Sequence, residues 1–170
     1  MESVTLEEFR ALFRRHRDAF HLETQETYSV AQEDEPFQRF MAGEPVDFGY
    51  RQGYLGLIRE VTAGGTTVRR VRVVTEPLND YARFLLHIAT GNVEAGEDVR
   101  YLARHNAVDL NLPADDCWLF DTSTLILTTF EGRNTGFVRC SDPGVVTRYQ
   151  EACPKVWERA IPYAIYVHDR

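Results

Sequence analysis

At 170 residues, with 44% apolar and 12% aromatic residues, the chain has the make-up of one globular domain with a buried core, not of a disordered segment. A formal net charge of -7 argues against bulk electrostatic capture of nucleic acid. The basic residues are nonetheless unusual: Lys155 is the single lysine and the rest are arginine, whose planar fork suits carboxylates and phosphates.

No apolar run reaches the ~18 residues of a membrane span, so no membrane role is expected. The amphipathic start MESVTLEEFRALFRRHRDAF lacks the apolar stretch of a secretory signal, and a cytoplasmic protein is expected. Cys117, Cys140 and Cys153 are widely spaced and form no C-x-x-C pair. They read as buried, inert thiols.

In chain order, Thr5 and Glu8 form a capping box, and Leu6, Phe9, Leu12 and Phe13 recur at helical spacing. The pattern predicts an amphipathic helix over 5–19 whose other face carries Arg10, Arg14, Arg15 and Arg17. Residues 21–31 have strand character. Asp34-Glu35-Pro36 opens a short helix that Gly43 ends. Residues 44–53 read as a turn-rich loop, and a helix over 54–62 closes at Gly64-Gly65. Thr67 to Thr75 is the clearest strand, with valines alternating with arginines. Pro77 ends it. Asn79 or Asp80 caps a helix through Tyr81, Phe84, Leu85 and Ile88, closed at Gly91 or Gly96.

Further strands are expected over 98–103, 116–120, 125–130 and 137–140, the middle two joined by an Asp121-Thr122-Ser123 turn. Asp142-Pro143 opens a final helix over 142–160, with a kink or break expected at Pro154. The sum is an α/β (α+β) chain: a single domain, with a mixed β-sheet flanked by helices.

The chemistry is less legible. The five histidines show no i, i+4 pair, and no metal site or cofactor is expected. Asp80, Arg83 and His87 share one helix face and are weak catalytic candidates. Glu76 ends the clearest strand, where α/β folds place ligands. Arg70 and Arg72 share a strand face opposite Arg69. A covered arginine needs a carboxylate, and Glu76, Glu97 and Asp121 are the candidates. Arg70, Arg72, Glu76, Tyr81, Arg83, Glu97 and Asp121 therefore form the expected ligand-binding set. A polar network that only fixes the fold is the plainer alternative.

The segments RVRVVTEPLNDYARF, AGEDVRYLAR, WLFD and VWERAIP resemble an uncharacterised actinobacterial family, domain of unknown function 6879. The resemblance runs from Phe20 to Pro162, beyond the helix of residues 1–19. Members are often encoded near helix-turn-helix regulators, so it implies a regulatory accessory role with such a partner. It carries no catalytic residues.

The chain is also faintly similar to half-domains of the phospholipase D type found in some regulators. There, an H-x-K-x-x-x-x-D motif ending at Asp121 would need histidine and lysine where Ala114 and Asp116 stand. Phosphodiester chemistry of that type is not expected.

The leading expectation is thus a non-enzymatic regulatory or ligand-sensing protein that acts with a helix-turn-helix regulator and takes a small-molecule ligand. The alternatives are a small-molecule enzyme of a biosynthetic cluster using the Asp80/Arg83/His87 face with Glu76 and Glu97, or a nucleic-acid binder using Arg10, Arg14 and Arg17. Direct nucleic-acid binding is not expected, given the net charge.

Overall fold

A computed structural model describes residues 1–131 and 134–168. Its strands are β1 (Glu2–Val4), β2 (Asp18–Glu23), β3 (Thr67–Val74), β4 (Asp98–Ala103), β5 (Cys117–Phe120), β6 (Thr124–Glu131), β7 (Asn134–Cys140) and β8 (Ile161–Pro162). Its helices are α1 (Leu6–Arg15), α2 (Asp34–Met41), α3 (Gln52–Ala63), α4 (Asp80–Glu94), α5 (Pro143–Arg159) and α6 (Tyr163–His168). The strands form one mixed sheet in the order β1-β7-β6-β5-β2-β3-β4-β8. β2, β3 and β4 run parallel, and every other pairing is antiparallel. This is the α/β domain expected from the sequence.

The helices cover both faces. On one face Phe9, Leu12 and Phe13 of α1 and Leu55, Ile58 and Val61 of α3 pack on Ala19, Val68, Trp118, Phe120 and Ile126. On the other, Tyr149, Cys153 and Val156 of α5 pack on Phe20, Leu22, Val71, Val73, Leu119 and Leu125. All three cysteines are free and buried. The β3–α4–β4 crossover turns tightly at Gly96, whose φ is +103° and where a Cβ would come within 2.6 Å of Thr62 Oγ1. The edge strands β1 and β8 are three and two residues long, which limits the unpaired backbone they offer.

Most expected elements stand where the sequence puts them, and the departures have physical causes. α1 keeps its capping box, with Glu8 N donating to Thr5 Oγ1 at 3.2 Å and Thr5 N to Glu8 Oε2 at 2.8 Å. It ends at Arg15 rather than at residue 19, because the Asp121 carboxylate takes the N–H groups of Arg17 and Asp18 at 2.9 and 2.8 Å. That pulls the chain into β2 three residues earlier than expected. β2 also stops at Glu23 instead of running to residue 31. Asp116 Oδ1 accepts from Thr24 N at 2.7 Å and Gln25 N at 3.3 Å, so these amides leave the ladder.

The loop expected over 44–53 tightens into a single 3-10 turn at Gly49–Arg51 that feeds directly into α3. α5 runs unbroken from Pro143 to Arg159 with Pro154 inside it. The strands β1 and β8 and the helix α6 have no counterpart in the sequence reading.

Candidate functional site

Strand alternation puts His21 and Glu23 of β2 on the same face as Arg70 and Arg72 of β3. The parallel register sets His21 opposite Arg70 and Glu23 opposite Arg72. The antiparallel register sets His21 opposite Trp118 of β5. This polar row runs from the middle of the parallel strands β2 and β3 toward their C-terminal ends, where β2 also pairs with its antiparallel neighbour β5. α3 and α4 roof it, together with the segment between β2 and α2.

Beneath that roof lies a cavity of about 300 Å³. Its floor is His21, Glu23, Arg70, Arg72, Asp116 and Trp118. Tyr50, Arg51 and Tyr54 line it from the start of α3, and Tyr81, Leu85 and Ile88 from α4. Tyr28, Val30 and Glu33 line it from the segment after β2, and Thr128, Phe130 and Phe137 from β6 and β7.

The floor is an ion-pair relay. Arg70 Nη1 donates to Glu23 Oε1, and Arg72 Nε to Glu23 Oε2. Arg70 Nε donates to Glu97 Oε1 at 2.6 Å, and Arg70 Nη2 to the Tyr54 hydroxyl at 3.0 Å. Glu97 Oε2 accepts from Tyr54 at 3.1 Å and from Asn92 Nδ2 at 2.6 Å. Asn92 Oδ1 accepts in turn from Arg51 Nη2 at 2.6 Å, while Arg51 Nη1 bonds the Ile88 carbonyl at 2.7 Å. Arg70, Arg72, Glu23 and Glu97 are all buried.

Burial alone would raise the Glu23 carboxyl, but Arg72 and Arg70 together outweigh it and hold the group well below the usual carboxylate range. Burial likewise works against the Arg70 charge, and Glu97 and Glu23 more than restore it. His21 stacks on Trp118 at 4.1 Å. Its Nδ1 lies 3.6 Å from Glu23 Oε1, beyond a hydrogen bond. Burial and the Arg70 charge keep the ring neutral, so this contact is no ion pair despite its closeness.

Two further carboxylates line the cavity, each held by a tyrosine. Asp116 accepts from Tyr28 at 2.5 Å, and Glu33 accepts from Tyr81. Burial raises both carboxyls; the Glu23 charge adds to the rise at Asp116, and at Glu33 the Tyr81 bond and the Arg72 and Arg51 charges offset part of it. Among the described residues neither has an ion-pair partner.

Four residues of the lining carry a buried polar atom with no protein partner among the described residues: Arg72 Nη1, His21 Nδ1, the Tyr50 hydroxyl and Thr128 Oγ1. Arg72 is 8% exposed and lines the cavity. A buried guanidinium N–H without an acceptor costs free energy that a bound oxygen would recover.

The residues singled out in the sequence fall in different places. Arg70, Arg72 and Tyr81 line the cavity, and Glu97 supports Arg70 from behind. Glu76 stands at the end of β3 and accepts from Tyr166 at 2.9 Å. Arg83 is exposed, 3.7 Å from Asp80, and His87 is exposed beside Phe40 and Phe48. The Asp80/Arg83/His87 face is therefore the outer side of α4. Asp121 caps the opposite end of the sheet and binds His16 Nδ1 at 2.9 Å.

Sequence reasoning missed Glu23, His21, Glu33, Tyr50, Arg51, Tyr54 and Asp116. For the first two a signal existed: in Phe20-His21-Leu22-Glu23 the polar residues alternate with apolar ones in a strand covered on both faces. Among the described residues no histidine, cysteine and carboxylate cluster could hold a metal ion, and no helix is long and apolar enough to cross a membrane.

The family model described as a domain of unknown function, DUF6879, matches residues 7–168. The chain belongs to this family. The match takes in both walls of the cavity, the α1–α3 side and the β6–β7 side. No curated protein matches the chain.

Proposed function

We propose that this DUF6879 protein is a ligand-sensing accessory module of the cytoplasm: it binds a small polar molecule in the cavity over β2 and β3 and passes the occupied state to a helix-turn-helix regulator. The carrying observation is a cavity of about 300 Å³ lined by the buried Arg72, whose Nη1 has no acceptor among the described residues. That volume sits at the lower end of small-molecule sites. The mixture of aromatic walls and a few converging polar groups is what such sites use to fix orientation.

Binding without turnover is the favoured reading because Arg70, Arg72, Glu23 and Glu97 are tied to one another. Glu23 is clamped between two guanidiniums, and Glu97 is saturated by Arg70, Tyr54 and Asn92. The enzyme reading drew on Asp80, Arg83 and His87, which lie outside the cavity. The nucleic-acid reading drew on Arg10, Arg14 and Arg17, and Arg14 is already bound to Glu60 at 2.7 Å. Acidic Glu7 and Glu8 in the first turn of α1 weaken that face further.

Intrinsic fluorescence tests the reading. Trp118 lines the cavity, and Trp157 packs on the opposite face of the sheet. A Trp157→Phe variant leaves Trp118 as the reporter. Titration with fractions of a small-molecule cell extract should produce a saturable change in its emission that Arg72→Met weakens. A flat response to every fraction would contradict the proposal.

A further inference from the structure

The charges around the cavity do not favour a ligand of one sign. Arg70 and Arg72 are balanced by Glu97 and Glu23. Arg51, Glu33 and Asp116 remain, and among the described residues none of these three has an ion-pair partner. A bare anion would enter beside Glu23, Glu33 and Asp116. A bare cation would enter beside Arg51, Arg70 and Arg72. Either would meet like charge in a poorly solvated space, which penalises it strongly.

A ligand with both charges meets a complement at each end. The Arg72 guanidinium lines the cavity and can donate to an anionic oxygen. Among the described residues, Glu33 accepts one side-chain hydrogen bond, from the Tyr81 hydroxyl. The Tyr28 and Tyr81 rings both line the cavity and offer an aromatic surface to an ammonium. Glu33 and Arg72 both line this cavity. Leu85, Ile88 and Trp118 supply the apolar remainder of the wall.

We infer that the cavity binds a small zwitterion of the amino-acid class, with its carboxylate on the Arg72 guanidinium, its ammonium at Glu33 beside Tyr81, and its side chain against the apolar wall. This rests on the reading of the cavity as a ligand site and narrows what the site takes. A zwitterion adds no net charge to a nearly balanced wall. Its carboxylate and ammonium meet Arg72 and Glu33, one each.

Isothermal titration of the full chain with the proteinogenic amino acids, each at millimolar concentration, is the first step. At least one should bind saturably. For that amino acid, the analogue lacking the amine and the analogue lacking the carboxylate should each bind about tenfold or more weakly, the worth of one charge-assisted hydrogen bond.

Glu33→Gln alters a half-buried side chain on the segment after β2 and spares the ion-pair floor. It should weaken the amino acid by a similar factor and leave the affinity of the amine-free analogue unchanged. Equal binding of either single-charge analogue, equal weakening of both probes by Glu33→Gln, or no binding by any amino acid would overturn the inference. The cavity reading falls separately, on a silent Trp118 response to every extract fraction.

Discussion

Glu23 accepts one hydrogen bond from Arg70 and one from Arg72, an oxygen each, so a single buried carboxylate ties together two guanidiniums that stand two residues apart on β3. Both arginines and Glu23 are buried, and the arrangement holds Arg72 through its Nε at the wall of the cavity. The network therefore orients the binding group as well as fixing the packing of β2 on β3.

Removing one partner of a buried pair strands the others. Arg72→Met leaves Glu23 with Arg70 alone and should cost about 3–5 kcal/mol of stability. Glu23→Leu with Arg72→Met removes both sides of one contact, and the double variant should lose less than the sum of the singles. Urea denaturation measures all three. A wild-type midpoint in Arg72→Met would rule out an energetically coupled network.

His21 gives the fold a dependence on pH with a defined sign. Its ring is held neutral, with a folded pKa well below the usual 6.5 because of burial and the Arg70 charge. Below about 6.5 the unfolded chain takes up a proton that the native chain refuses, so stability falls as the pH drops through that value. Glu33 and Asp116 act in the opposite direction. Their raised folded values favour the native state in acid and lose that contribution as the pH rises.

The difference between wild type and His21→Phe isolates the histidine. Between pH 4.5 and 6.5, stability of the wild type should rise more steeply with pH than that of the variant. Parallel curves over this range would show that His21 titrates alike in both states.

How far the sequence disclosed this arrangement depends on the range of the contacts. Period-two alternation in Val68-Arg69-Arg70-Val71-Arg72 separates Arg69 from the other two, and the structure pairs Arg69 with Asp18 on the opposite face. It also called for a carboxylate partner, and Glu97 answers for Arg70 at 2.6 Å. The partner of Arg72 was out of reach. Glu23 is 49 residues away in the chain and sits in a strand whose ends are set by Asp121 and Asp116, two side chains from the far hairpin.

Glu33, Tyr50 and Arg51 lie in a segment with no steady apolar period, so nothing local placed them over the sheet. The Asp80/Arg83/His87 alignment was correct as helical geometry, but it marked the outer side of α4. The apolar residues Phe84, Leu85 and Ile88 define the covered side.

The most direct measurement is a chemical-shift map of the isotopically labelled protein, with its backbone and arginine side chains assigned, titrated with the active extract fraction or the best-binding amino acid. The account predicts that shifts concentrate at Tyr50, Arg51, Arg72, Tyr81 and the Trp118 indole, while Arg69 and Trp157 on the opposite face stay fixed. Shifts confined to Asp80, Arg83 and His87, or to Arg10, Arg14 and Arg17 on addition of DNA, with the Trp118 and Arg72 signals unmoved, would contradict it.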